Sequence, residues 1–513
     1  MDKVYKSRQN LSVLYAAIAF AAILRLYKLG GQSVWGDEAL TLLFYAWGNS
    51  IGEIWHKIWT SGGHPPLYFL TVFHWLKLGH SEFMLRFPSL VYGVAAIPVM
   101  YALVCRLYGP GTARVASLVV ALSPIHIWYS QEARMYSLQI LLLLLSTLFM
   151  VKAWQEQRMR YYALFAVFSI LALFTHMASA LFVAGQAMFI LITYVRHRRA
   201  LAAWIGVFML VGAAFAPWML AFLADNTTDG VNIAVGYQGR QTSILDPAYA
   251  FYTLSVGYSL GPSVAELHVL SPRKAVLMHW PAIVIPGIVF GILAIMGIRR
   301  AAKSNPGARM MLLTLLGVPT VLAAIGSQMP GLPLNPRYML PVVIPYWVLL
   351  ALGIQACSAR RVVSLSAAAA ALITGLSLYN HYYEPTYMKQ DMRSAAGIVN
   401  QQAREGDLVI ISSIEMGGPF IYYYKRSDVP FVGYPPDQSM VDPSKLGADI
   451  RKLVAGRKRA WLVLGRTWSS DPSGLIRRHF DSLSSPAVRR HYQGVTVLCY
   501  DLSLSSSGLP TNR

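Results

Sequence analysis

The sequence predicts a polytopic α-helical membrane protein, with about eleven spanning helices followed by a small extracytoplasmic α/β domain. Three observations carry this reading. Only 13% of the 513 residues are charged and 55% are apolar, whereas soluble domains carry about 25% charge. Long charge-free apolar blocks recur up to residue 379 and then stop. Lys and Arg fall in alternate connections between those blocks. An ordinary cytosolic enzyme is thereby excluded, as are disorder and a disulfide scaffold, since there are only three cysteines. The formal charge of +21 would point to nucleic acid only if the basic residues clustered on a soluble face, and mostly they do not.

A spanning helix needs about 20 mostly apolar residues. The predicted spans are 11–29, 86–104, 115–131, 136–152, 161–176, 178–195, 200–222, 279–298, 309–326, 339–356 and 362–379. Ala19-Phe20-Ala21 resembles a cleavage site, but the apolar run continues to Leu24, so an uncleaved first helix is expected, with Arg25 and Lys28 snorkelling at its outer end. The basic connections contain Lys3, Lys6 and Arg8; Arg106 and Arg114; Lys152, Arg158 and Arg160; Arg196, Arg198 and Arg199; Arg299, Arg300, Lys303 and Arg309; and Arg360 and Arg361. They hold 17 of the 44 Lys and Arg in about 48 positions, which marks them as cytoplasmic. The amino terminus then lies inside and the tail outside. The run 65–78 is too short to span comfortably and is predicted to lie in the outer interface.

The membrane part is expected to occupy 1–379, with a first outer loop over 30–85 and a second over 223–278. The tail, 380–513, alternates differently. Asp391–Arg404 reads as a helix, and Leu408–Ser412, Ala460–Leu464 and Val495–Leu502 read as strands. Ser503–Arg513 is expected to be disordered. Cys105, Cys357 and Cys499 are placed where no disulfide is expected.

The unusual ionisable residues collect at the outer boundary: Asp37, Glu38, His64, Arg86, Glu132, Arg134, His176 and Arg337. A transporter would hold such groups near the bilayer midplane. An acidic pair beside Trp35, Trp55, Trp59 and Trp75 could act as a base, or simply cap a helix. Three arginines on the same side favour binding an anion, because a guanidinium matches phosphate in bidentate geometry; each alone could merely snorkel. His64 and His176 are weak signals. The aromatic run from Tyr249 to Leu260 reads equally as a lid on the membrane or as core packing. Asn226-Thr227-Thr228 matches a glycosylation sequon and is read as chance.

In chain order, Trp35-Gly36-Asp37-Glu38-Ala39, His64-Pro65-Pro66-Leu67-Tyr68, Leu85-Arg86-Phe87-Pro88-Ser89 with Gly93, Tyr129-Ser130-Gln131-Glu132-Ala133-Arg134-Met135-Tyr136 and Asn335-Pro336-Arg337-Tyr338 resemble bacterial family 39 glycosyltransferases of the GT-C fold. That family includes relatives of the protein O-mannosyltransferases and the lipid A aminoarabinose transferases. The tail, with Asp391-Met392-Arg393 before a helix and Gly406-Asp407 before a strand, resembles those that follow such cores. The resemblance implies a sugar donor carried on polyprenyl monophosphate, with Asp37 as the base that deprotonates an acceptor hydroxyl. It implies Arg337 as the chief partner of the leaving phosphate, with Arg86, Arg134 and His64 beside it. Glu38 and Glu132 would bind sugar hydroxyls or position a cation, and Tyr136 and Tyr338 would line the substrate site. Where aminoarabinose transferases carry Glu-Lys before the two prolines, this chain has Gly63-His64. No cofactor and no metal are therefore expected, although a divalent ion is compatible with the acids.

The implied partners are the lipid-linked donor, membrane lipids and an unidentified glycan, lipid or protein acceptor, without nucleic acid. The implied location is the bacterial inner membrane. The alternatives are a polymerase or ligase using lipid-diphosphate-linked glycans, a lipid-linked sugar transporter, and a non-catalytic envelope scaffold.

Overall fold

The computed structural model describes residues 2–42, 50–60, 64–228, 246–328, 334–356, 361–413, 416–436 and 439–502. Cys357, Gly63, Arg360 and the polar end 503–513 lie outside the described residues. Two compact units divide the chain, one of residues 1–29 and 45–387 and one of 30–44 and 388–513. Residues 380–387 thus group with the helices, and residues 30–44, within the predicted first outer loop, group with the tail.

Each of the eleven predicted spans is helical in the first unit. In order its helices are α1 (Asp2–Leu26), α3 (Ile51–Thr60), α4 (Leu67–Leu76), α5 (Glu82–Leu122), α6 (Pro124–Ser130), α7 (Tyr136–Glu156), α8 (Met159–Leu173), α9 (Ser179–Tyr194) and α10 (Arg198–Thr228). After these come α11 (Asp246–Val256), α12 (Val264–Val269), α13 (Pro272–Met278), α14 (Trp280–Ser304), α15 (Pro306–Gly326), the 3-10 turn Pro336–Val342, α16 (Val343–Ile354) and α17 (Arg361–Tyr383). Between α1 and α3 the four-residue helix α2 (Gly36–Ala39) belongs to the second unit. Among the described residues seven helices are long and apolar enough to cross a membrane, and α8, α9 and the apolar part of α1 are shorter apolar helices. The chain is an integral membrane protein.

Gly109, at φ 83°, breaks α5 in the connection between the spans predicted over 86–104 and 115–131, because that left-handed conformation is open to glycine. One predicted span is itself interrupted. The span predicted over 115–131 stops at Ser123, where Pro124 opens α6. Residues 131–135 form a turn, so Glu132 and Arg134 stand on irregular backbone and not on a helix. The predicted interfacial run is α4, which buries Tyr68, Phe69, Val72, Phe73 and Leu76 along one face. On α3, Ile54 and Ile58 are buried, whereas Trp55 and Trp59 are exposed and pack edge-on against Trp218.

Helix α11 settles the two readings of Tyr249–Leu260. It packs on α6, α14, α17 and the 3-10 turn and buries Tyr252 through Val256, so this run is core. The helix pair α14/α16 is joined backbone to backbone. A Cβ on Gly297 would fall 2.0 Å from the Leu349 carbonyl oxygen, and one on Gly353 2.0 Å from that of Leu293. Small residues permit such close approach between apolar helices.

The second unit carries a five-stranded sheet of order β2-β1-β3-β5-β4, with β1 (Leu408–Ile411), β2 (Phe431–Gly433), β3 (Arg459–Gly465), β4 (Val488–Tyr492) and β5 (Val495–Asp501). Strands β2, β1 and β3 run parallel; β5 is antiparallel to β3 and to β4. Alternate residues feed two cores: Val409, Ile411, Trp461 and Val463 on one face, Leu408, Ile410, Ala460 and Leu462 on the other. The first core is completed by α18 (Met392–Gln402) and α19 (Gly417–Tyr423), the second by α20 (Pro443–Val454) and α22 (Leu475–Leu483); α21 (Thr467–Ser470) is a short turn of helix.

Candidate active site

In the membrane unit the site residues are organised by the turn between α6 and α7. Its foundation is a face of α5 on which Arg86, Ser89 and Gly93 recur at helical spacing. Arg86 is 1% exposed and donates from Nη1 to the Leu29 carbonyl at 2.8 Å, tying α5 to the end of α1. One turn on, Ser89 Oγ donates to the Arg134 carbonyl at 3.2 Å and meets Tyr68 Oη at 2.9 Å. A further turn on, Gly93 leaves room for Ser130, whose Oγ would lie 2.1 Å from an added Cβ. The Arg-Phe-Pro-Ser…Gly motif thus works as a seat for the turn. Arg86, expected at substrate, stands on the same face and holds the Leu29 carbonyl.

Arg25 corrects its expectation outright. It is fully buried and does not snorkel. It donates to Ala21 O, Val120 O, Ala121 O and Ser130 Oγ at 3.0–3.2 Å and meets His126 Nδ1 at 3.0 Å. The carbonyls of Val120 and Ala121 end the second stretch of α5, where intrahelical donors run out. Gln131 completes the clamp, its Nε2 bonding the Arg25 and Tyr27 carbonyls at 2.9 and 2.7 Å, while His381 Nε2 meets its Oε1 at 2.8 Å.

Above this base the polar groups converge. Glu132, 1% exposed, accepts from Trp128 Nε1 at 3.0 Å. Arg134 Nη2 lies 3.4 Å from His64 Nε2. Arg337 opens the 3-10 turn, its N–H received by Asn335 Oδ1 at 3.1 Å and its guanidinium 5.7 Å from the Tyr338 ring. That turn packs on α7, α9, α11 and α15 and runs directly into α16. His176, which the sequence marks only weakly, sits in the turn between α8 and α9, within electrostatic reach of both Arg134 and Arg337. Its ring packs on Tyr136 at 5.6 Å and Tyr338 at 6.1 Å. Its Nδ1 accepts the Ala178 N–H at 3.0 Å, so the ring hydrogen of a neutral imidazole is on Nε2. Tyr258 was missed as a site residue: its Oη meets Tyr129 Oη at 2.9 Å and lies within electrostatic reach of Arg337. Only spatial proximity ties Tyr258 and the weakly marked His176 to the site, because neither stands in a motif. Two guanidiniums, two imidazoles and a wall of tyrosines form a site suited to a phosphate with an apolar or sugar neighbour.

Asp37 and Glu38 stand on α2 in the second unit. Asp37 is half-buried, and its carbonyl accepts from Thr41 Oγ1 at 3.2 Å. Glu38, expected at sugar hydroxyls or a cation, is fully buried and ion-paired with Lys389 at 3.3 Å. Among the described residues no three His, Cys, Asp or Glu side chains stand close enough to hold a metal ion.

Residues 63–222 match the family model described as dolichyl-phosphate-mannose-protein mannosyltransferase. The chain is similar, at 22% identity over 48% of its length, to the "Putative mannosyltransferase YycA" of Bacillus subtilis, of which the match spans 36%. Among solved structures it resembles ArnT from Cupriavidus metallidurans in the apo state, with a TM-score of 0.56 at 12% identity, covering 97% of this chain and 99% of that one. The same ArnT bound to undecaprenyl phosphate superposes with a TM-score of 0.54 at 14% identity, over 96% and 98% of the two chains. The archaeal oligosaccharyltransferase AglB from Archaeoglobus fulgidus, in complex with an inhibitory peptide and a dolichol-phosphate, gives a TM-score of 0.51 at 12% identity over 99% and 75%. The fold is therefore that of the GT-C membrane glycosyltransferases. The family model and the fold point the same way: residues 63–222 are similar to the protein mannosyltransferases, and the chain as a whole takes the fold of ArnT.

Proposed function

We propose that this protein is an inverting glycosyltransferase that moves a sugar from a polyprenyl monophosphate to an acceptor at the outer face of a bacterial inner membrane. The observation that carries the proposal is the gathering of Arg134, Arg337, His64 and His176 around Tyr136 and Tyr338 in one membrane unit. A compartment without nucleotide sugars requires a lipid-borne donor, and a solved structure of the same fold holds undecaprenyl phosphate.

In this reading the Asp37 carboxylate takes the proton of an acceptor hydroxyl, whereas a phosphate acceptor arrives already ionised and needs no base. The acceptor oxygen bonds to the anomeric carbon from the face opposite the carrier. The bond between that carbon and the phosphate oxygen breaks, and its electron pair leaves with the polyprenyl phosphate. Arg337 and Arg134 match the charge that grows on the leaving phosphate, and the Nε2–H of His176 supplies a neutral donor. The tyrosines offer hydroxyls and apolar faces to the sugar.

The test is transfer of radiolabelled sugar from a panel of polyprenyl-monophosphate donors in detergent, wild type beside Asp37→Asn and Arg337→Ala. The expected result is turnover of one donor, reduced about 10²–10⁴-fold by Asp37→Asn. Equal turnover in wild type and Asp37→Asn removes Asp37 as the base. Turnover of diphosphate donors alone moves the protein to the polymerase or ligase class. For the topology, a reporter fused after Asn380 should be active only outside the cytoplasm.

A further inference from the structure

Within the second unit the tail from residue 388 on has no assigned task, and the four tethers it places on residues 30–38 supply one. Arg393 Nη2 donates to the carbonyls of Gly30 and Gln32 at 3.0 and 3.3 Å. Ser33 Oγ donates to Asp391 Oδ1 at 3.0 Å and receives the Arg393 N–H at 3.1 Å. Tyr423 Oη accepts the Val34 N–H at 2.8 Å. Lys389 then reaches Glu38 through its Nζ, covers the Trp35 ring at 5.4 Å, and donates its own N–H to Gln32 Oε1 at 2.9 Å. Helix α2 packs on α19 as well. The side chains of Lys389 and Glu38 are 9% and 0% exposed, so the pair is desolvated and directional, and each partner needs the other.

An α/β domain that grips the residues on both sides of one half-buried carboxylate does more than close the chain. We propose that the tail domain is the mount for the Asp37 carboxylate, and that Lys389 is a positioning residue acting through Glu38, one residue along. The inference rests on Asp37 being the base. It assigns the tail to chemistry and away from substrate recognition. A base must sit within hydrogen-bond reach of the proton it takes, and a displacement of about 1 Å costs on the order of 10²-fold.

The test uses the full chain in detergent, with the polyprenyl-phosphate donor that wild type turns over. Lys389→Met is expected to lower kcat about 10- to 100-fold while KM for the donor stays within about twofold. Lys389→Arg should restore most of the loss, since it keeps the cation beside Glu38. Lys389→Met also leaves a buried carboxylate behind, so the double variant Glu38→Gln with Lys389→Met serves as the folding control. It should regain the wild-type melting temperature and still show reduced kcat. Wild-type kcat in Lys389→Met overturns the proposal, as does a rise in KM with unchanged kcat, which would make the tail a recognition domain. Loss in Asp37→Asn with full activity in Lys389→Met removes the mount and leaves the base. Full activity in Asp37→Asn removes the base and the mount together.

Discussion

Arg25 and Arg459 are both cations with little access to water, one in each unit, and they are satisfied in different ways. Arg25 sits among helix ends and spends its guanidinium on three carbonyl oxygens, a hydroxyl and an imidazole nitrogen. Arg459 takes Asp407 in a two-bond fork at 3.1 and 2.7 Å, with side chains 18% and 1% exposed. Asp407 also accepts from the Trp461 indole and the Arg404 N–H, both at 2.9 Å. The sheet domain neutralises charge with charge. The helical unit neutralises it with the carbonyl ends that its broken helices leave over, which carry partial negative charge. An arginine used in that way joins whole helices, here α1, α5 and α6, and so shapes the turn that carries Glu132 and Arg134.

The largest effect should follow from breaking the first arrangement. Arg25→Met is expected to destabilise the folded protein by about 3–5 kcal/mol, since it orphans several buried acceptors at once. Arg25→Lys should recover only part, because a point charge cannot reach acceptors on both sides. Thermal unfolding in detergent checks both. Asp407→Asn should cost about 2–3 kcal/mol, less than a fully buried pair because Arg459 keeps some water. Its readout is local. Burial pushes the Cys499 thiol up to about 12, so mass-resolved alkylation of Cys499 near neutral pH reports opening of the tail. A mild Arg25→Met beside a severe Asp407→Asn would reverse the comparison.

Next in size are two close approaches in the helical unit. Gly297→Ala drives a Cβ into the Leu349 carbonyl, and neither backbone can yield without parting α14 from α16. Gly93→Ala meets Ser130 Oγ and, at 3.3 Å, Arg25 Nε. Overpacking of this kind costs about 1–3 kcal/mol. The two differ in remedy. Removing the obstructing hydroxyl in Gly93→Ala with Ser130→Ala should return part of the loss, as melting temperatures would show, whereas no side-chain change can relieve Gly297→Ala.

The same contrast explains what could be read from the sequence. Span positions were legible because apolar length and basic connections are properties of single segments. Strands β1, β3 and β5 were legible as short apolar runs, whereas β2 has three residues and the exposed β4 reads Val-Arg-Arg-His-Tyr, a pattern that hides a strand. The chain order of the site motifs was legible, but the partners of each residue were not. Nothing local distinguishes an Arg25 that snorkels from one that bonds to α5 about a hundred positions away, or a His176 in a loop from one beside two arginines. Glu38 shows the same limit, since its partner Lys389 is 351 positions distant.

The smallest effect belongs to the exposed relative of Asp407. Asp428 is held by Arg426 at 2.7 and 2.5 Å, and these hydrogen bonds keep its carboxyl down at about 2, below the ordinary 3.8. A folded-state value below the unfolded one makes the contribution complete above a pH of about 4, and it is lost as the pH falls toward 2. Water screens the pair, so the contribution is small even where it is complete. Asp428→Asn should therefore lower the melting temperature only slightly at a pH of about 6. The difference between variant and wild type should then shrink steadily with acidification, because protonated Asp428 and Asn have the same charge. A difference that stayed constant with pH would mean that packing, and not the ion pair, is what Asp428 supplies. It would also remove the exposed end of the series that runs from Arg25 through Asp407 to the surface.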